Sequence, residues 1–289
     1  MERSTFEAML DAAGCTAVRD DVDSSRRVHE SVYQALDRRR AAVAQRFVEQ
    51  AKEIESMARV AAMMPLHDRS LERQSILDRM ASIEEDMARI GDIASGPGHY
   101  ALGRGHLTLQ NFDEAERHLK EAVAEGYRSA GVSYSYGLVL GQLYERELRI
   151  ARRHPDPELR EATVRELESS LRDQALDHLR STTGLRLETP AYVEGLISFY
   201  EGDLETALAK ARQAYTEADW LYEARKLEGD IQLELGTNLG QSGRYELAFE
   251  ALQKAGQAFE EAADIADDID RDADYLDGFA SGVEEMRRT

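Results

Sequence analysis

The sequence predicts an all-α protein: a long antiparallel helical hairpin followed by an irregular helical-repeat solenoid. Three observations carry that expectation. The composition suits long helices around a real core, with 42% hydrophobic residues, 7% aromatics and only 5 prolines in 289 residues. Apolar residues between positions 26 and 93 return at helical spacing. From position 103 onward, a Gly–Ala–Ala triplet recurs at steps of 12 and 7.

Taken in order, residues 1–25 read as a short helix and a polar connector. Ser4 is a suitable N-cap for a helix over Thr5–Ala13, and Asp20, Asp21, Asp23, Ser24 and Ser25 make the connector loop-like. From Arg26 to about Met64, Val28, Val32, Ala35, Ala42, Phe47, Ala51, Ile54, Met57 and Ala61 recur at steps near 3.5, with two larger ones. Pro65 ends that helix, because proline lacks the amide donor and clashes with the preceding turn. A second helix is expected from about Arg69 to Ile93, where Ile76, Met80, Ile83, Met87 and Ile90 follow at steps of 4, 3, 4 and 3, a heptad seam. The break at Met64–Asp68 folds the two into a hairpin over residues 26–95. Its expected task is packing and spacing, with coiled-coil dimerisation as the alternative. Ser95-Gly96-Pro97-Gly98 is expected to break the chain there.

Residues 96–262 are periodic. Gly103, Ala115 and Ala122 share their spacing with Gly195, Ala207 and Ala214, and with Gly236, Ala248 and Ala255. Similar turns lie between the small residues: Gln110-Asn111-Phe112, Gly202-Asp203-Leu204 and Gly243-Arg244-Tyr245. Small residues at three fixed places let two helices, and the next one, approach closely, while the turn needs a conformationally permissive residue. Gly137 lies 34 residues after Gly103 and marks the first helix of another unit, but its matching alanine, Ala175, comes 38 residues later, not 12. About 26 residues are therefore inserted, over roughly 142–170. From Ala207 to Gly236 the step is 29 rather than 22, and seven extra residues are about two helical turns. An acidic helix or tail is expected over residues 263–289.

This pattern resembles the tetratricopeptide repeat, a helix–turn–helix unit of 34 residues. The hairpin, the stretch Gly98-His99-Tyr100-Ala101-Leu102-Gly103-Arg104-Gly105-His106, the stretch Tyr136-Gly137-Leu138-Val139-Leu140-Gly141 with its insertion, and Tyr222 to Asp230 together resemble the region that follows the catalytic domain in some large bacterial serine/threonine protein kinases. The resemblance spans residues 26 to about 265. It implies a regulatory or recruiting scaffold in a kinase-like signalling system, with a protein or peptide partner. It also implies that the first helix of each unit lines a concave surface. Tyr100, Arg104 and Leu107 would face it from the first unit, and Tyr134 and Leu138 from the second. Tyr192, Leu196, Phe199 and Tyr200 would face it from the third, and Leu233 and Thr237 from the fourth. Aromatic and Arg side chains combine contact area with a polar handle, so Tyr100, Arg104, Tyr134, Tyr192, Phe199 and Tyr200 are the candidate partner-binding residues. Some family members grip a terminal carboxylate with Lys, Asn and Arg at these places. Here Tyr, Leu and Thr occupy them and only Arg104 is basic, so that use is not expected.

Other functions find little support. With 36 Lys and Arg against 56 Asp and Glu, the net charge of −20 disfavours nucleic acid. The lone Cys15 excludes an internal disulfide framework and a Cys-based zinc site. No signal peptide or apolar run of membrane-spanning length is read, so a cytoplasmic protein is expected. There is no His-Arg-Asp, no Asp-Phe-Gly and no phosphate loop after a strand, so no enzyme and no cofactor are expected. His99 and His106, seven apart, can share a helix face, but no carboxylate is seen to complete a metal site. The run Asp268, Asp270, Asp272, Asp274 alternates as a calcium loop does, but Ala273 replaces its glycine and Phe279 its final glutamate. Self-assembly into a homo-oligomer through hairpin and repeats is the alternative function.

Overall fold

The computed structural model describes residues 16–62, 70–182 and 189–266. Among them are eleven α-helices, one π-helical turn and no strand. The expected helix at Thr5–Ala13, the turn at Pro65 and the aspartate run from Asp268 lie outside the described residues.

Helix α1 spans Thr16–Ala62, 47 residues or about 70 Å at the α-helical rise. The connector expected at residues 20–25 is therefore helical. Asp and Ser weaken a helix by only about 0.5 kcal/mol each, and no Gly or Pro interrupts the sequence between Thr16 and Ala62. Helix α2 spans Ser70–Ile90 and α3 spans Asp92–Thr108. The break expected at Ser95–Gly98 falls instead at Gly91, whose φ of 80° no L-residue adopts without strain. Helix α3 runs straight through Ser95-Gly96-Pro97-Gly98, all but Ser95 fully buried. The glycines there serve close packing: a Cβ on Gly96 would lie 2.6 Å from Tyr127 Cβ, and one on Gly98 would collide with Met87. The hairpin and the first repeat consequently share one core, in which Phe47, Ala51 and Ile54 of α1 meet Ile76, Met80 and Ile83 of α2 and Ala101 and Leu102 of α3. At its edge the buried Asp86 is paired with Arg46 and Arg89 and accepts a 3.0 Å bond from Gln50 Nε2. Burial alone would raise its pKa, but these bonds and charges outweigh it and hold the carboxyl below its usual range.

Beyond α3 the chain forms tetratricopeptide-like helix pairs. Helix α4 (Phe112–Ala124) pairs with α3, and α5 (Ala130–Arg152) carries the insertion. The insertion contains α6 (Pro157–Leu167), N-capped by Asp156, and the π-helical turn Glu168–Arg172. Helix α7 (Asp173–Arg180) then returns as the partner of α5. The last pairs are α8 (Pro190–Glu201) with α9 (Leu204–Glu217), and α10 (Tyr222–Gln241) with α11 (Tyr245–Ala266). The small residues sit where helices touch. A Cβ on Gly103 would lie 2.7 Å from Leu119, on Gly137 2.8 Å from Leu179, and on Gly236 2.8 Å from Leu252. Ala115, Ala175, Ala207 and Ala248 are wholly buried, and the backbone of Ala115 and Ala248 backs onto Gly103 and Gly236. Glu228 of α10 joins three helices, bonding Arg212 of α9 at 2.8 Å and pairing with Arg225, which also pairs with Glu261 of α11.

Three of the four pairs turn in the same way. Gln110, Gly202 and Gly243 have φ of 57°, 82° and 76°. Each N–H bonds the carbonyl three residues back, and the following N–H bonds the one five back, as in Asn111 to His106 at 2.9 Å. Gln110 alone is not glycine. A side chain in the left-handed region costs about 1–2 kcal/mol, partly offset by the larger unfolded entropy of glycine. Gln110→Gly is therefore expected to raise stability by about 0.5–1 kcal/mol. A urea midpoint that falls in this variant would contradict the turn geometry.

Candidate protein-interaction groove

The first helices of the pairs, α3, α5, α8 and α10, form one layer, and tyrosine–glycine contacts lock it together. The Tyr100 hydroxyl of α3 lies 2.5 Å from where a Cβ on Gly131 of α5 would stand, and the Tyr200 hydroxyl of α8 fills the slot left by Gly141. Leu227 of α10 fits against Gly195 of α8. The layer curls tightly enough for α5 and α10, two units apart, to meet over α8. Arg152 grips Glu234 through two bonds of 2.7 and 3.0 Å. At the other end, Arg104 of α3 reaches out to pair with Glu55 of α1.

This curl decides the fate of the expected anchors. Tyr100, Tyr192 and Tyr200 are only 4%, 9% and 5% exposed, so they are core and not free contact rings. Tyr100 packs tilted against Tyr127, ring centres 5.7 Å apart, and takes a 2.8 Å bond from Arg104. Tyr200 lies edge-on to Tyr144, ring centres 6.3 Å apart. Phe199 packs partly buried beside Tyr200, and Arg104 is held between Tyr100 and Glu55. Periodic tyrosines predict an open aromatic surface, but Gly131 and Gly141 of α5 face Tyr100 and Tyr200, and these two fill the space between helices. Of the expected aromatics on this layer, Tyr134 and Phe199 stay partly exposed, alongside Leu107 and Leu138.

About three turns along α5 from Tyr134 lies a polar cluster of which the expected set held only Tyr200. The Tyr200 hydroxyl donates to Glu145 Oε1 at 3.1 Å, and Lys226 Nζ lies 2.8 Å from Asp230. Burial, reinforced by the charge of Asp230, pushes the Glu145 carboxyl up to about 7, against the pull of Lys226, Tyr200 and Arg149. Burial would lower the Lys226 pKa, but the charges of Asp230 and Glu145 raise it. Burial carries the phenols of Tyr192 and Tyr200 well above their ordinary value. Tyr134 lies close enough to both Arg104 and Tyr192 to interact with them electrostatically. Sequence reading missed Glu145 and Lys226 because they meet only through the curl. Their spacing, 81 residues on helices two units apart, carries no local signal.

No helix among the described residues is long and apolar enough to cross a membrane. No family model matches the chain, and no curated protein matches it. Among solved structures, a chain described as "MamA RS-1 ArsTM double mutant" is similar over 72% of this chain and 94% of its own length, with 14% identity and a TM-score of 0.38. A likeness that distant carries no argument about function.

Proposed function

We propose that this chain is a protein-interaction scaffold with no chemistry of its own. It receives a segment of a partner protein along the inner layer around Tyr134. One observation carries the reading: a part-exposed aromatic on the inner layer interacts with Arg104, and about three turns further along the same helix Glu145 joins the Lys226–Asp230 pair. Tyr134 supplies apolar area and a phenol, as recognition surfaces do. The protein's net charge of −20, and two carboxyls crowded at the cluster, favour a partner segment that brings Lys or Arg.

Peptides selected from a displayed library on the full chain test this. They are expected to be enriched in Lys or Arg beside an apolar residue, and to bind less tightly as salt rises. Acidic or purely apolar selections, insensitive to salt, would sink the charge assignment. The sequence resemblance supports placing the scaffold in a bacterial kinase-like signalling system, in the cytoplasm. Co-purification of a serine/threonine kinase with the chain from its native cell checks that placement. A second reading, self-assembly, is favoured by the projecting part of α1, where Val32 and Tyr33 are 59% and 66% exposed. A stable oligomer in light scattering that Tyr33→Glu dissociates would support it.

A further inference from the structure

We propose that His106 of α3 and Glu114 and His118 of α4 form a site for a divalent transition-metal ion of the zinc class. One donor atom from each residue lies within 4.8 Å of the other two. Two imidazoles and a carboxylate are a donor set that such ions take, with a further position left for water or another ligand. The residues come from both helices of the first pair, so the ion would clamp α3 to α4 next to the sharp turn at Gln110.

The hydrogen bonds show where the lone pairs point. Arg117 Nη2 lies 2.9 Å from His118 Nε2 and 2.6 Å from Glu114 Oε2. Arg can only donate, so Nε2 of His118 is an acceptor and its proton sits on Nδ1. That N–H then donates to His99 Nδ1 at 2.9 Å. His99 thus fixes the tautomer and aim of His118, the task of an outer partner behind a metal-bound histidine. A cationic group already bridges the carboxylate and the imidazole lone pair. It belongs to a half-exposed arginine that can swing away. His106 stacks on His118 with ring centres 5.2 Å apart, and its Nδ1 is enclosed without a hydrogen-bond partner. A tetrahedral ion needs donors about 3.4 Å apart, given bonds of 2.0–2.1 Å. The exposed Glu114 side chain has the freedom to close that gap.

The test uses the untagged full chain titrated with cobalt(II) chloride, followed by displacement with zinc chloride. One equivalent of cobalt is expected to give the intense visible bands of a four- or five-coordinate ion, and zinc to bleach them and raise the thermal midpoint. Glu114→Gln, on the surface and compatible with folding, is expected to weaken cobalt binding at least tenfold, and His106→Ala to abolish it. Arg117→Gln is expected to tighten it at least threefold by removing the competing cation. His178→Gln, whose ring packs on Tyr136 far along the chain, is expected to change nothing. Absence of saturable binding, only the weak bands of a six-coordinate ion on surface carboxylates, or binding unaffected by Glu114→Gln would each overturn the proposal.

Discussion

Gly141→Ala is expected to destabilise the protein by about 2–3 kcal/mol. The added methyl collides with the Tyr200 hydroxyl, and the ring has nowhere to go. Tyr200 is 5% exposed, held edge-on by Tyr144 and bonded to Glu145. Relief requires either parting α5 from α8 or breaking the Tyr200–Glu145 bond inside a crowded cluster. Gly240→Ala is the matched control on the same layer. Its nearest neighbour would be Ala248 Cβ at 3.9 Å, an ordinary contact, so the helix-favouring residue is expected to add about 0.5–1 kcal/mol. Urea denaturation of the two variants should therefore shift in opposite directions. A neutral Gly141→Ala would mean that the tyrosine is not seated between these helices.

The second large effect is on pH dependence. A carboxyl raised to about 7 keeps a proton that the unfolded chain releases above about 4.3. The native state then binds more protons than the unfolded one between those values, so this group's contribution to stability falls as pH rises through that window. Glu145→Gln removes the cost. Because Glu145 is only partly buried, the gain is expected to reach about 1–2 kcal/mol at pH 8 and to vanish near pH 4. The comparison must be between variant and wild type at each pH. His106, His118 and His178, all lowered first by burial, resist protonation and push stability the other way over part of the same range. Asp86, held below its usual range, acts only in stronger acid, where its contribution is lost. A stability difference between the two proteins that does not change from pH 5 to pH 8 would contradict the environment described for Glu145.

How far the sequence could be read depends on the range of the interaction involved. The Gly–Ala–Ala triplets are legible because each pair of helices meets within one unit, and steric contact at Gly103 and Gly236 recurs at a fixed step. The turns are legible for the same reason, and even Gln110 takes the left-handed conformation that Gly202 and Gly243 supply elsewhere. Ser95-Gly96-Pro97-Gly98 misleads because glycine marks both chain breaks and close helix contacts, and here Tyr127 and Met87, not a turn, require it. The tyrosines mislead because a regular aromatic stripe looks the same whether it lines a groove or fills one. What decides between the two is the close approach of α5, where Gly131 and Gly141 seat the Tyr100 and Tyr200 hydroxyls. The His106–Glu114–His118 cluster escaped notice because its carboxylate comes from the neighbouring helix, although Glu114 and His118, four apart, do share a face.

The claim that the inner layer around Tyr134 receives a partner is tested most directly by the affinity of a library-selected peptide for three forms of the full chain. These are the wild type, the double variant Tyr134→Ala with Lys226→Gln, and Lys120→Glu on the exposed face of α4. With helical circular dichroism unchanged, the double variant is expected to bind at least tenfold more weakly, and Lys120→Glu as tightly as wild type. Undiminished binding by the folded double variant would contradict the claim and move the recognition surface off this layer.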